Sequence, residues 1–264
     1  MNSIILAAGE GKRLSPITKN IPKCMVKLFG KTLLQRQIDT MHSCGISDIT
    51  VVTGYKAESI ETPGVHYINN PDYDKTNMVE TLFCAKEKLS DEVIVSYGDI
   101  IYEKKVLERL IDSKYEISII VDENWEEYWR VRSENPLDDA ETLIINKDGE
   151  IVEIGKKTND IKRIQGQYIG LMKFQNRGVK ELIEFYEKSK KEYQKGVNLL
   201  NSNIDFRKLY MTDLLQGLIK DGTVLNAIPI HNGWLEIDTV SDYDMYTKLF
   251  NDNKLGKFFC ENMA

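Results

Sequence analysis

Apolar positions along this chain switch repeatedly between the two-residue or continuous pattern of strands and the 3.6-residue spacing of helices. Residues 4–8 are continuously apolar and run into Gly9-Glu10-Gly11, the pattern of a strand buried on both faces that ends in a turn. Residues 31–43 place Leu33, Leu34, Ile38 and Met41 at helical spacing, with Thr32 as the cap and Gly45 as the stop. Two β-branched runs follow, 48–53 and 65–69, the second closed by Asn70-Pro71-Asp72. A helix is predicted from Thr76-Asn77 to Leu89, then a strand over 93–97, a helix over 105–113 and a strand over 117–121. This order predicts an α/β fold: a Rossmann-like three-layer α/β/α sandwich around a mostly parallel central sheet.

From residue 122 the alternation breaks. Trp125, Tyr128, Trp129, Arg130 and Arg132 crowd together, and two strand-like runs, 141–145 and 150–155, are joined by the turn sequence Asn146-Lys147-Asp148-Gly149. Lys156 and Lys157 follow at once. Residues 122–165 therefore read as a small inserted β lobe, covering the carboxyl edge of the sheet within a single domain of residues 1–264. The alternation returns with a strand over 168–174, a charged helix over 179–193 and a helix from Thr212-Asp213 to Ile219. A strand over 224–229 comes next, then an apolar run into Glu236-Ile237-Asp238, and a last helix opened by Thr239, Ser241 and Asp242.

Composition narrows the class. The 264 residues are 42% hydrophobic and 29% charged, ordinary for a soluble globular enzyme. No apolar run approaches the roughly 20 residues that span a bilayer. The N-terminal apolar stretch is shorter than a signal peptide and leads into a charged loop, so the expected location is cytoplasmic. A formal net charge of −6 excludes nucleic acid as a bulk partner, which leaves local cations to hold any small phosphate-bearing ligand. Cys24, Cys44, Cys84 and Cys260 show no metal-ligand spacing, and His42, His66 and His231 form no cluster.

The candidate chemistry begins at the first loop. Glycines at 9 and 11 let several backbone N–H groups face one anion, which Lys12, Arg13 and Lys23 help to neutralise. The loop matches neither common nucleotide fingerprint: a third glycine would fall at Leu14, and no Gly-Lys-Ser/Thr follows. Asp99 follows Gly98 at a strand's carboxyl end, where ligands of open α/β sheets gather. Asp238 follows a second apolar run. Each residue has an ordinary structural role as well: the two aspartates as helix caps, Lys23 as a surface lysine, the tryptophans as core.

Taken in chain order, Leu6-Ala7-Ala8-Gly9-x-Gly11-x-Arg13-Leu14, Pro22-Lys23, Val51-Val52-Thr53-Gly54-Tyr55, Gly98-Asp99 and Glu236-Ile237-Asp238 make the chain resemble a nucleotidyltransferase family. That family makes nucleoside-diphosphate-activated small molecules, and the resemblance covers almost the whole chain. Lys75-Thr76-Asn77-Met78, the 234–238 run and the stretches 138–142, 154–157 and 165–168 are most similar to cytidylyltransferases acting on phosphocholine or phosphoglutamine in bacterial capsule and surface-polysaccharide pathways. The resemblance implies transfer of CMP from Mg²⁺-bound CTP to a small phosphorylated acceptor, with pyrophosphate released. L-glutamine phosphate ranks first as the acceptor and phosphocholine second.

Such a transfer needs no protein nucleophile; it needs cations and a divalent metal where two polyanions meet. By the resemblance, Arg13 and Lys23 are the catalytic cations and Asp99 and Asp238 the Mg²⁺ ligands. Leu6, Ala7, Ala8, Gly9, Glu10, Gly11, Lys12, Gly54, Tyr55 and Asn77 form the nucleotide site. Trp125, Trp129, Arg130, Lys156, Trp234 and Glu236 are acceptor candidates: aromatic faces and Glu236 for a positive amine, Arg130 or Arg132 for an α-carboxylate. The implied partners are CTP and the acceptor, with no nucleic acid or membrane, and the protein is a monomer or a homodimer. Two alternatives stand: a sugar-1-phosphate nucleotidyltransferase using UTP or dTTP, against which the Asn77 stretch speaks, and a non-catalytic nucleotide-binding regulatory domain, in which the charged residues would be dispensable.

Overall fold

The computed structural model describes residues 1–260. The first strand, β1 (Asn2–Ala7), lies inside a seven-stranded sheet and is buried along its full length. Ile5 and Ala7 point into one core and Ile4 and Leu6 into the other, so the continuous apolar run serves both faces. Helix α1 (Leu33–Ser43) leads to β2 (Ile49–Thr53), then β3 (His66–Asn69); helix α2 (Met78–Cys84) leads to β4 (Glu92–Tyr97). A short β5 (Ile100–Tyr102), helix α3 (Lys104–Asp112) and β6 (Ile117–Asp122) follow. Next come α4 (Trp125–Arg132), the hairpin β7 (Leu143–Ile145) and β8 (Ile151–Ile154), and the long β9 (Gln167–Gln175). The chain continues through α5 (Arg177–Gln194), α6 (Met211–Lys220), β10 (Asn226–Ile230), β11 (Trp234–Glu236) and α7 (Val240–Asn251).

The sheet order is β10-β6-β9-β4-β1-β2-β3, and only β9 runs antiparallel to its neighbours. The α/β expectation of a mostly parallel sheet between two layers is met. The order reverses at β1, which has β2 on one side and β4 on the other. Such a reversal opens a crevice at the carboxyl ends of the strands. The register brings those ends together: Ala7 pairs with Thr53 and Leu6 with Tyr97.

Local signals explain most boundaries. The Thr32 side chain accepts from Gln35 N at the start of α1, and Thr239 with Asp242 forms a capping box on α7. Helix α6 starts earlier than expected because Asp213 is its third residue: its carboxylate accepts from Tyr210 N, so it supports the cap instead of being it. Helix α2 stops at Cys84, five residues before the expected end, where the Ala85 N–H turns to Leu82 O and a tight turn over Lys86–Lys88 replaces the last helical turn.

The segment 122–165 divides between the two faces of the sheet. Trp125, Tyr128 and Trp129 enter one core from α4, whereas Leu143, Ile151 and Ile154 of the hairpin enter the other. Helix α4 escapes a reading by period because it is short and its three buried apolar residues are all aromatic, a class with weak helix preference. Among the described residues, no helix is long and apolar enough to cross a membrane.

Candidate active site

Three loops converge where β1, β2 and β4 end. Gly98 N donates to Leu6 O, and Tyr55 N donates to Ala8 O. A Cβ at position 98 would sit 2.7 Å from Leu6 O, so only glycine lets β4 approach β1 this closely and deliver Asp99 beside the first loop. At Gly11 the backbone is left-handed, with φ +68°, and a Cβ there would come within 3.1 Å of Lys23 Cβ. The loop therefore folds directly against Lys23, and Thr18 Oγ1 locks it by donating to Gly11 O.

The Lys23 ammonium donates to Asp99 Oδ2 at 2.6 Å and to Asp238 Oδ1. Arg13 Nη2 reaches the same Asp238 oxygen at 3.1 Å from a more exposed position. Asp99, Glu236 and Asp238 each offer a carboxylate oxygen, and these oxygens all lie within 4.8 Å of one another. Burial works against the charge on Lys23, but the carboxylates of Asp99, Asp238 and Glu236 outweigh it and keep the ammonium protonated well above its ordinary range. Burial also opposes the charge on Asp238, and Lys23 more than compensates, holding that carboxyl below the usual range. Glu236 goes the other way: burial first, then the charge of Asp238, push it up to about 8 despite Arg132.

A second layer holds these carboxylates. Arg132, its side chain 7% exposed, donates from Nη1 to Glu236 Oε2 at 2.8 Å and from Nε to Asp242 Oδ1 at 3.1 Å. Its guanidinium lies 5.5 Å from the Tyr128 ring centroid and 5.2 Å from that of Trp129. Asp242 in turn accepts from Asp238 N and Thr239 N, fixing the turn that carries Asp238.

The acidic cluster suits a hard divalent cation, whose preferred ligands are carboxylate oxygens with room for water and phosphate. One atom favours this directly: Asp99 Oδ1 is buried and has no hydrogen-bond partner among the described residues.

Two connected cavities open from this point. The inner one is lined by Leu6, Ala7, Ala8, Gly9, Asn77 and Thr81, among others, and shares Lys23 and Asp99 with the outer one. The outer cavity, about 640 Å³, extends past Arg13, Trp129, Glu236 and Asp238 to Asp139, Glu141, Lys157 and Thr212.

Gly11 and Lys12 join the outer wall, while Glu10 pairs with Lys12 on the far side of the loop. Tyr55 supports the loop from behind, with its hydroxyl donating to Lys19 O; Gly54 precedes it beside Ala8. Asn77 lines the inner cavity and also caps α2, accepting from Met78 N. Trp129 and Trp234 line the outer cavity.

Three acceptor candidates fall elsewhere. Trp125 is 3% exposed and donates from Nε1 to Ile164 O in the core. Arg130 sits on the outer side of α4, paired with Glu126. Lys156 pairs with Glu153, and it is Lys157 that lines the cavity; β8 has ended at Ile154 and the left-handed Gly155, φ +81°, turns the chain before both lysines. Glu141, Lys157, Tyr97, Tyr168 and Met78 are lining residues that sequence reasoning passed over. Of these, Met78, Glu141, Lys157 and Tyr168 lie in the stretches that carry the cytidylyltransferase resemblance, at 75–78, 138–142, 154–157 and 165–168.

A glycine loop, a buried lysine and strand-end carboxylates at a topological switch point define a nucleotidyltransferase site, and the chain belongs to the MobA-like NTP transferase family, whose domain model matches residues 3–153. Over 93% of this chain and 98% of its relative, it is 41% identical to CTP:phosphoglutamine cytidylyltransferase of Campylobacter jejuni. It is 26% identical to choline-phosphate cytidylyltransferase of Streptococcus pneumoniae, over 92% of this chain and 95% of that one. The solved structure of the CTP:phosphocholine cytidylyltransferase from Streptococcus pneumoniae superposes with a TM-score of 0.70 over 94% of this chain and 98% of that one, at 22% identity.

Proposed function

We propose that this protein transfers CMP from CTP to the phosphate of a small acceptor, L-glutamine phosphate, releasing pyrophosphate and giving a CDP-activated product for capsule or surface-polysaccharide modification in the cytoplasm. The observation that carries the reading is Lys23, shared between Asp99 and Asp238 where both cavities meet. The similarity to the Campylobacter jejuni enzyme supplies the choice of nucleotide and acceptor.

In this reading an acceptor phosphate oxygen attacks the α-phosphorus in line; the new O–P bond forms as the bond to the bridging α,β-oxygen breaks, and that oxygen leaves on pyrophosphate. Asp99 and Asp238, with Glu236 adjacent, would hold Mg²⁺, which when bound neutralises phosphate charge. The loop N–H groups from Ala8 to Gly11 bind the triphosphate, and Arg13 neutralises its outer phosphates. Lys23 stabilises the charge that accumulates where the two phosphates meet. The inner cavity takes the base, with Ala7, Ala8 and Asn77 in its wall.

The test is a pyrophosphate-release screen of CTP, UTP, dTTP and ATP against L-glutamine phosphate, phosphocholine and hexose 1-phosphates. Preference for CTP with L-glutamine phosphate is expected. Preference for UTP or dTTP with a hexose phosphate would overturn the reading.

A further inference from the structure

The wall of the outer cavity formed by Asp139, Glu141, Lys157 and Thr212 lies outside the set of residues assigned above to the phosphates. On the reading above it must receive the body of the acceptor, and its chemistry is distinctive. We propose that Glu141 and Lys157 are the specificity determinants of this wall, Glu141 for the α-ammonium and Lys157 for the α-carboxylate of an amino-acid phosphate. The inference rests on the proposed function and extends it from the reacting phosphates to the group that distinguishes one acceptor from another.

The aromatic residues of this cavity do not form an open cage. A quaternary ammonium has no N–H to donate and is recognised by open aromatic faces. Here Trp125, Trp129 and Trp234 are 3%, 5% and 2% exposed. The faces of Tyr128 and Trp129 already carry the Arg132 guanidinium. Tyr97 and Tyr168 are turned edge-to-face on each other. Tyr210 stands exposed at the rim, and one ring does not make a cage.

The Glu141 backbone is clamped from both sides by Gln167, whose Oε1 accepts from Glu141 N at 3.1 Å and whose Nε2 donates to Glu141 O at 2.6 Å. Its carboxylate lines the cavity, is half-buried, and has no hydrogen-bond or ion-pair partner among the described residues. Burial pushes this carboxyl above its ordinary range, and the nearby Lys157 charge opposes the shift. A fixed, partly desolvated carboxylate without a partner is destabilising in the free protein, and a ligand that brings N–H donors on a cation relieves the cost.

Thr142 N donates to Lys156 O and Lys156 N to Thr142 Oγ1, so 142 and 156 are cross-strand neighbours at the mouth of the hairpin. Glu141 and Lys157 are the next residues outward on the two segments that extend the hairpin beyond β7 and β8. Lys157 Nζ is held on this wall by donating to Asp139 O at 2.8 Å and to Asp138 O at 3.4 Å, which leaves one N–H donor for a ligand. One anion and one cation carried side by side by one ladder match the two opposite charges that an amino acid carries on one carbon.

The test uses wild type, Glu141→Gln and Lys157→Met with CTP and three acceptors: L-glutamine phosphate, its analogue lacking the α-amine, and its analogue lacking the α-carboxylate. Glu141→Gln should raise KM about 10-fold for L-glutamine phosphate and leave it unchanged for the amine-free analogue. Lys157→Met should do the same with the carboxylate-free analogue as the insensitive one. KM for CTP should stay at the wild-type value in both, which separates headgroup reading from general damage to the fold. Wild-type KM for L-glutamine phosphate in both variants, or an equal rise for all three acceptors, would overturn the inference while leaving the proposed function standing. A wild-type enzyme inactive on all three acceptors would overturn both.

Discussion

Lys23 Nζ lies 2.6 Å from Asp99 Oδ2, joining a loop and a strand end that are 76 residues apart in the chain. The contact depends on two glycines: Gly11, which lets the first loop fold onto the Lys23 stem, and Gly98, which lets β4 close on β1. It sets a cation and an anion, each less than a fifth exposed, at the junction of the two cavities.

Removing that cation should affect the chemical step more than binding. Lys23→Ala is expected to lower kcat by about 10²–10³, the usual cost of losing one preorganised stabiliser of transition-state charge. KM for CTP should change by a few-fold at most, since the loop N–H groups and Arg13 remain. Steady-state pyrophosphate release measures both, and a selective rise in KM with kcat intact would contradict the role.

The carboxylates should govern metal dependence. Asp99→Asn and Asp238→Asn remove hard oxygen charge from the cluster and should each abolish turnover at ordinary Mg²⁺ concentrations. Chelation of the wild type with EDTA should do likewise, and added Mg²⁺ should restore it. Isothermal titration with Mn²⁺ gives an independent reading: weaker binding is expected in both variants. Unchanged affinity and turnover would remove these residues from the metal site.

Arg132 is expected to be a stability residue for the site. Arg132→Met strands Glu236 and Asp242 as buried carboxylates, a change that typically costs about 3–5 kcal/mol. Arg132→Lys should recover only part of this, because an ammonium cannot donate in the planar fork that spans both carboxylates. Urea unfolding of the three proteins tests it, and a midpoint for Arg132→Met at the wild-type value would refute it.

Stability should fall steeply at alkaline pH. Burial, above all, raises the phenols of Tyr97, Tyr128, Tyr168, Tyr186 and Tyr246 above the ordinary tyrosine value. The unfolded chain then releases these protons at a pH near 10, where the folded state still keeps them. Their contribution is fully present below about pH 10 and is lost as pH rises beyond it. Tyrosinate absorbance of these rings should therefore appear together with unfolding. Smooth titration of all thirteen tyrosines near pH 10 in a folded protein would show the rings to be accessible.

The periods of apolar residues determined the layered α/β architecture, since a strand buried on both faces and an amphipathic helix each leave a local pattern. The glycine loop was visible for the same reason, but Lys23, Asp99 and Asp238 taken singly read equally as a surface lysine and helix caps, and only the resemblance of several short motifs in chain order marked them as a site. Choosing among adjacent side chains was different. Arg130 and Arg132 look equivalent in the sequence, yet on α4 they are separated by about 200° of rotation, so one pairs with Glu126 in solvent and the other is buried against Glu236. Lys156 and Lys157 are neighbours just past the left-handed Gly155, yet one pairs with Glu153 and the other lines the cavity. Of the three tryptophans, Trp125 packs into the core, whereas Trp129 and Trp234 line the outer cavity and Trp129 also carries the Arg132 guanidinium. Which face of an element meets the site is decided by how elements far apart in the chain pack together, and only the tertiary structure contains that information.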